Sequence, residues 1–142
     1  MEHIKIKKIS FTSLDDLILL EEFIKNNPKG QIKFRYFENR KYDVIKNHLY
    51  TALYYLNEEI VGYGHLDFEH EKTWLGIMVS DNFTSKGIGK FIIDDLINHS
   101  NGDIYLSVDS DNTNAIHLYK KKNFNIISSN NKHHIMKKWQ IP

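Results

Sequence analysis

Two stretches of the chain hold residues whose types and spacing could do chemistry. The first is "TSKGIGK", residues 84–90, where Gly87 and Gly89 stand one residue apart between Lys86 and Lys90. The chain has only 7 glycines. The first N–H groups of a helix have no internal partner, and with the dipole behind them they form an anion site. Glycines there remove Cβ atoms and let a phosphate approach the amides closely. A turn that merely permits a sharp reversal is the alternative, since Gly-x-Gly is common. The pair lacks the third glycine of the dinucleotide fingerprint and the spacing of a Walker loop. The second stretch is "YGHLDFE", residues 63–69. Strand alternation sends Tyr63, His65, Asp67 and Glu69 to one face, and an imidazole titrates where proton transfer is useful.

The elements that must position these residues are readable from periodicity. "HIKIKKIS" alternates apolar and charged residues and predicts a half-buried strand. Ser13 can cap "LDDLILLEEFIKNN", a helix with Leu14, Leu17, Ile18, Glu21 and Ile24 near helical spacing, acids early and Lys25 late. "NPKG" is expected to stop it. Residues 31–48 read as a loop plus a short helix around Tyr42 to His48. "LYTALYYL", "NEE" and "IVGYGHLDF" make a strand, a tight turn and a strand, and "TWLGIMVS" is the next strand. "GIGKFIIDDLINHS" is an amphipathic helix opening at Gly87 or Ile88, "DIYLSVD" a strand, and "NTNAIHLYKKKNF" a helix starting at Asn112. Two strands around a polar turn at Ser128 to Lys132 close the chain. This order predicts one mixed α/β domain over residues 1–142: a central, mostly antiparallel twisted sheet of six to seven strands with about four helices.

Composition narrows the function. A length of 142 residues fits one domain with a real core. With no cysteine, neither a disulfide framework nor a thiolate site is possible. A net charge of +1 argues against a nucleic-acid partner. Of 19 basic residues only Arg35 and Arg40 are arginines, so anion binding would lean on amides and lysines. The N-terminus carries charges inside its apolar pattern, unlike a signal peptide. No apolar run approaches the ~20 residues that span a bilayer. The expected location is cytoplasmic, with no membrane partner, as a monomer or a homodimer.

Two linked motifs then carry a resemblance. "TWLGIMVSDNFTSKGIGKFIIDDL" followed by "SVDSDNTNAIHLYKKKNF" resembles the GCN5-related N-acetyltransferase (GNAT) family. That family places Arg/Gln-x-x-Gly-x-Gly/Ala after its fourth strand and Asn-x-x-Ala-x-x-Leu-Tyr further on, usually ending in Gly-Phe. The matching positions are Gly87, Gly89, Asn112, Ala115, Leu118, Tyr119 and Phe124. Thr84 stands at the usual Arg/Gln and Asn123 at the usual Gly. Asn can adopt the left-handed conformation that Gly supplies at a helix end.

The resemblance implies acetyl-CoA as cosubstrate, no metal, and direct attack of a primary amine on the thioester in a ternary complex. It puts the pantetheine arm on backbone groups of Ile77, Met78 and Val79, in the manner of an added strand. The pyrophosphate falls to the amides of Ser85, Lys86, Gly87, Ile88, Gly89 and Lys90, with Thr84, Asn112, Ala115 and Tyr119 completing the cofactor site. The oxyanion donor is the backbone N–H of Met78 or a neighbour. Tyr119 is the general acid, and His65 and Asp67 are the candidate general bases. The acceptor pocket takes its shape from the segment before the second strand, with Arg35, Tyr36 and Trp74 as candidates beside Phe37 and Tyr42. Aromatic faces suit a sugar ring and Arg35 a phosphate or carboxylate. The expected acceptor is a small amine, an amino sugar or nucleotide-linked amino sugar first among them.

Three rival readings stay in view. One is an acetyl-CoA-binding module without catalysis. Another is a helix–hairpin–helix DNA binder, since "KGIGK" resembles its hairpin. The third is a non-haem iron site built from His65, Asp67 and His117 or His133.

Overall fold

The structure is a computed structural model and describes residues 3–84 and 86–140. The elements run β1 (Lys5–Lys8), α1 (Leu14–Lys25), α2 (Pro28–Lys33), a 3-10 turn (Tyr42–Asn47), β2 (His48–Leu56), β3 (Glu59–Glu69) and β4 (Lys72–Val79). A second 3-10 turn (Asp81–Phe83) leads to α3 (Ile88–His99), β5 (Ile104–Asp109), α4 (Thr113–Lys121), β6 (Asn125–Ser129) and β7 (His133–Lys138). The seven strands form one sheet in the order β1-β2-β3-β4-β5-β7-β6. Every pairing is antiparallel except β4 with β5. The expected mixed α/β architecture is present.

Local signals explain most element ends. Ser13 caps α1 by accepting the Asp16 N–H at 3.2 Å. Gly87 caps α3 at φ 82°, a left-handed conformation that glycine adopts without a Cβ penalty. Asn123 ends the α4 segment at φ 70°, doing the work of the usual glycine. One expectation is refined and one changes. α1 ends at Lys25 ahead of "NPKG", as expected, but Pro28 opens a further helix, α2, at its first position, where a missing N–H costs nothing. On α1 the buried face is Asp16, Leu20, Phe23 and Ile24, while Leu14 and Ile18 are exposed. The sheet chose a stripe rotated from the one that spacing alone picks out.

Each sheet face has its own cluster. Helix α3 lays Ile88, Ile92, Ile93 and Leu96 on Tyr54, Val61, Leu66 and Ile104. Each such side chain contributes roughly 2 kcal/mol. On the other face α1 covers Leu53, Tyr63 and Met78 with Leu20, Phe23 and Ile24. Phe37 and Tyr42 pack against this second cluster, so these two aromatics are core.

Candidate active site

The first structural fact is a split in the sheet. β4 and β5 pair only at Thr73 with Ile104 and at Trp74 with Tyr105. Beyond that, β4 stays with β3 to Val79 and β5 stays with β7 to Asp109. A wedge therefore opens between residues 75–79 and 106–109. The Ser80 N–H donates to the Val61 carbonyl at 2.8 Å. Backbone direction alternates along a strand, so Met78 and Gly76 also turn their N–H and C=O groups toward β3. Ile77 and Val79 turn theirs into the wedge. Of the expected oxyanion donors, Met78 or a neighbour, the Met78 N–H is thus turned toward β3 and the Ile77 N–H into the wedge. The Met78 side chain is buried on the α1 face.

At the open end of the wedge stands the start of α3. Its first amides have no intrahelical acceptors. Thr84, Lys86 and Lys90 are exposed around it. A Cβ on Gly89 would lie 3.3 Å from Leu118 and 3.8 Å from Val79, so the first turn of α3 sits close to both α4 and the end of β4. Ser85, also expected here, lies outside the described residues. Asn112 caps α4, its side chain accepting the Ala115 N–H at 3.4 Å, and Ala115 packs at the margin of the core.

His65 lies at the closed end of the wedge. It pairs with Gly76, and a Cβ on Gly76 would be 2.5 Å from the imidazole, so glycine alone leaves space for this ring. His65 Nδ1 and the Tyr63 hydroxyl are 2.7 Å apart. Burial, then the neighbouring His48 and Arg40, hold its pKa well below the ordinary histidine value. At neutral pH the ring is uncharged.

Asp67, two residues on, ends a hydrogen-bond chain. Its Oδ2 accepts the Tyr36 hydroxyl at 2.8 Å, and that oxygen is 2.8 Å from His48 Nε2. His48 Nδ1 is 2.8 Å from the Thr51 hydroxyl. An ionised carboxylate only accepts, so Tyr36 gives its one proton to Asp67 and must accept from His48. Nε2 then carries the hydrogen, and Nδ1 accepts from Thr51. Burial lowers the His48 pKa to about 4, partly offset by Asp67. Burial and donation to Asp67 push Tyr36 far above the ordinary phenol range. Both groups hold the protons this chain requires.

A family comparison decides what this arrangement is. The model of the acetyltransferase (GNAT) family matches residues 14–124. The chain belongs to the GNAT family of acetyltransferases. Solved structures share the fold. One is a GNAT-family acetyltransferase from Streptococcus pneumoniae, with TM-score 0.76 and 18% identity over 97% of this chain and 100% of that chain. Another is the PaiA N-acetyltransferase from Thermoplasma acidophilum in complex with coenzyme A, with TM-score 0.74 and 20% identity over 97% and 99%. A third is YncA from Salmonella typhimurium with acetyl-CoA, with TM-score 0.76 and 12% identity over 99% and 96%. A sequence search of curated proteins returned no significant match.

In this GNAT chain Tyr119 is buried on α4 and packs edge-on against Phe124. Burial raises its pKa, so the phenol stays protonated at neutral pH. Among the described residues no group bonds its hydroxyl, and no side-chain polar atom is both sealed and unpaired. The hydroxyl therefore reaches solvent. The acceptor-side candidates are spread out. Tyr36 belongs to the Asp67 chain, Trp74 donates to the Glu69 carbonyl at 3.2 Å and lies against Tyr105, and Arg35 is ion-paired with Asp109.

Sequence reasoning missed Gly76, His48 and Thr51. Gly76 was findable, since a glycine inside a strand marks a close approach. Nothing in the sequence pointed to His48. Two rivals lose their footing here. The glycine pair follows a strand and a 3-10 turn, not a first helix. Among the described residues no three His, Cys, Asp or Glu side chains gather around a metal position. No described helix is long and apolar enough to cross a membrane.

Proposed function

We propose that this chain, as one catalytic domain, transfers an acetyl group from acetyl-CoA to the primary amine of a small acceptor in the cytoplasm. The observation that carries the proposal is the wedge between β4 and β5, whose free backbone groups lead to a glycine-capped helix start. Acetyl-CoA supplies an activated acyl carbon, and the chain's residues do the rest. Ile77 and Val79 hold an extended pantetheine arm by strand-like hydrogen bonds. The amides of Ile88, Gly89 and Lys90 take the pyrophosphate, and Lys86 adds charge. The Ile77 N–H stabilises the charge that grows on the carbonyl oxygen. His65 receives the proton shed by the attacking nitrogen, directly or through water, and Tyr119 protonates the departing thiolate. An alkylamine of pKa near ~10 is mostly charged at neutral pH, so only its neutral fraction attacks. Amino sugars head the acceptor screen.

Titration calorimetry with acetyl-CoA and with CoA tests the cofactor site. Binding on the order of micromolar is expected, abolished by Gly87→Glu, which sets a carboxylate and a strained φ at the anion site. A folded protein that binds neither ligand would falsify the proposal. Tyr119→Phe separates catalysis from a binding module: turnover should fall at least ~100-fold with acetyl-CoA affinity kept. Unchanged turnover would remove Tyr119 as the acid.

A further inference from the structure

Beside the reacting centre lies a groove of about 350 Å³ lined by Tyr36, Arg40, Val44, Asn47, Asp67, Phe68 and Glu69. A wider hollow of about 900 Å³ sits at the β1 edge, and no residue lining it is buried, so size alone misdirects. The smaller groove contains a feature that open surface lacks. Asp67 is 5% exposed, and its Oδ2 is engaged by Tyr36. Among the described residues no hydrogen bond reaches its Oδ1, and no described side-chain polar atom is both sealed and unpaired, so Oδ1 keeps some exposure on a residue that lines the groove. Thr51, His48 and Tyr36 point their hydrogens down the chain toward this carboxylate.

The rest of the lining says what would meet it. Arg40 lies 4.2 Å above the Tyr36 ring, donates to the Tyr36 carbonyl at 2.9 Å and stands 4.0 Å from Glu69. The aromatic face is thus covered and cannot stack a sugar ring. Arg40 also compensates one of the two carboxylates, so a second cation would have to compete with it. Donors remain on Arg40, acceptors on Asp67 and Glu69, and both kinds on the exposed Asn47. Alternating donors and acceptors with little net charge suit hydroxyl groups. Phosphate fits poorly, because both arginines of the chain already face carboxylates. A volume near the small end of ligand sites (~300–1,000 Å³) suits one monosaccharide.

We infer that this groove is the acceptor subsite, and that it binds the hydroxyls of an unphosphorylated amino sugar through Asp67, Asn47 and Glu69. The inference rests on the acetyl-transfer reading for the purpose of the site, but not for the binding itself. Asp67 and His65 share a face two residues apart, about 7 Å along the strand. Tyr36 links the two: its hydroxyl holds Asp67 and its ring lies against His65, centroids 4.3 Å apart.

The test is a titration of ¹⁵N-labelled protein with glucosamine, 1,4-diaminobutane and glucose 6-phosphate, with no acetyl-CoA present. Glucosamine should give saturable shifts at Asn47, Asp67 and Glu69, at least tenfold tighter than the other two. Asp67→Asn should weaken it at least tenfold. Glu69→Gln, at the exposed rim, should weaken it severalfold and carries the test if the first variant does not fold. Shifts absent from the groove, or stronger ones with the diamine or the phosphate, overturn the inference. A parallel acetyl-CoA titration read at Ile77, Val79 and Gly89 keeps the two readings apart. Loss there with glucosamine binding intact sinks acetyl transfer and leaves the sugar subsite standing.

Discussion

Two carboxylates on opposite faces of the sheet, Asp67 buried and Asp95 half-buried, receive tyrosine hydroxyls, and they differ in how many. Asp95 on α3 accepts Tyr50 at 2.8 Å and Tyr54 at 2.6 Å on Oδ2, while its Oδ1 lies 3.4 Å from His99. Two hydroxyls of the fold thus hold Asp95, and the His99 Nδ1 beside it bonds the Asp95 backbone carbonyl at 2.8 Å. Asp67 on β3 accepts only Tyr36 and leaves Oδ1 open. The α3 face surrounds its carboxylate with Ile92, Ile93 and Leu96. The α1 face surrounds its own with His48, His65 and Thr51. A carboxylate held by two hydroxyls of the fold is structure. One held on one oxygen and free on the other is a tool, because its desolvation is offset only in part until something binds.

Truncating each carboxylate is the sharpest way to break this comparison. Asp67→Ala should lower kcat/KM by about 100-fold or more, as losing a proton acceptor or an anchor does. It should leave chemical stability down by only about 1–2 kcal/mol, one unpaired hydroxyl's worth. Asp95→Ala strands two tyrosine hydroxyls, so stability should fall by about 3 kcal/mol in urea melts with kcat/KM of the folded fraction near wild type. Equal activity losses in the two variants would erase the distinction.

Glycines give the same contrast at smaller scale. Gly76→Ala drives a methyl to 2.5 Å from the His65 ring, and Gly64→Ala drives one to 2.8 Å from Ile92. Both should cost about 1–3 kcal/mol through overpacking. Only Gly76→Ala should also reduce kcat, by about tenfold, since only it displaces a group at the reacting centre. Matching kcat values for the two variants would mean that the His65 position does not matter.

How much of this the sequence held depends on how local each feature is. The cap at Gly87 and the shared face of His65 and Asp67 are set within a few residues, and spacing showed them. The left-handed Asn123 and the proposed acid Tyr119 came through the motif resemblance. The wedge was invisible to periodicity, because it arises where β4 and β5 stop pairing. Which backbone groups face it depends on the register of Ser80 with Val61. The chain Thr51–His48–Tyr36–Asp67 joins residues 12 and 31 positions apart. His48 sits at a strand start and resembles any solvated histidine until the fold places it. Leu14 and Ile18 misled for the opposite reason: helical spacing identifies an apolar stripe, but only the sheet decides which stripe is covered.

Acid should separate the two faces without mutation. His48 is held neutral in the fold at a pKa of about 4 against 6.5 when unfolded. A depressed folded value means that its contribution is complete above pH 6.5 and drains as pH falls toward 4. The loss amounts to about 3 kcal/mol at full protonation. His65, also shifted down by burial, acts in the same direction. His48→Gln should flatten the stability–pH curve between pH 6.5 and 4, read by urea melts at several pH values. An unaltered curve for His48→Gln would show that His48 is not held neutral.

The smallest effect concerns Arg35, whose partner Asp109 stands at the end of β5 across the wedge. The side chain is 54% exposed, so solvent screens the pair and Arg35→Gln should cost under about 1 kcal/mol. If the acceptor is an unphosphorylated sugar in the Asp67 groove, its KM should shift less than about threefold in this variant, as expected for a screened charge outside the subsite. If Arg35 leaves Asp109 to grip a phosphate of a nucleotide-linked sugar, the same substitution removes a charge-assisted contact. KM for that substrate should then rise tenfold or more and become less salt-sensitive. The salt dependence decides between them, because only a phosphate contact ties acceptor binding to ionic strength through this residue.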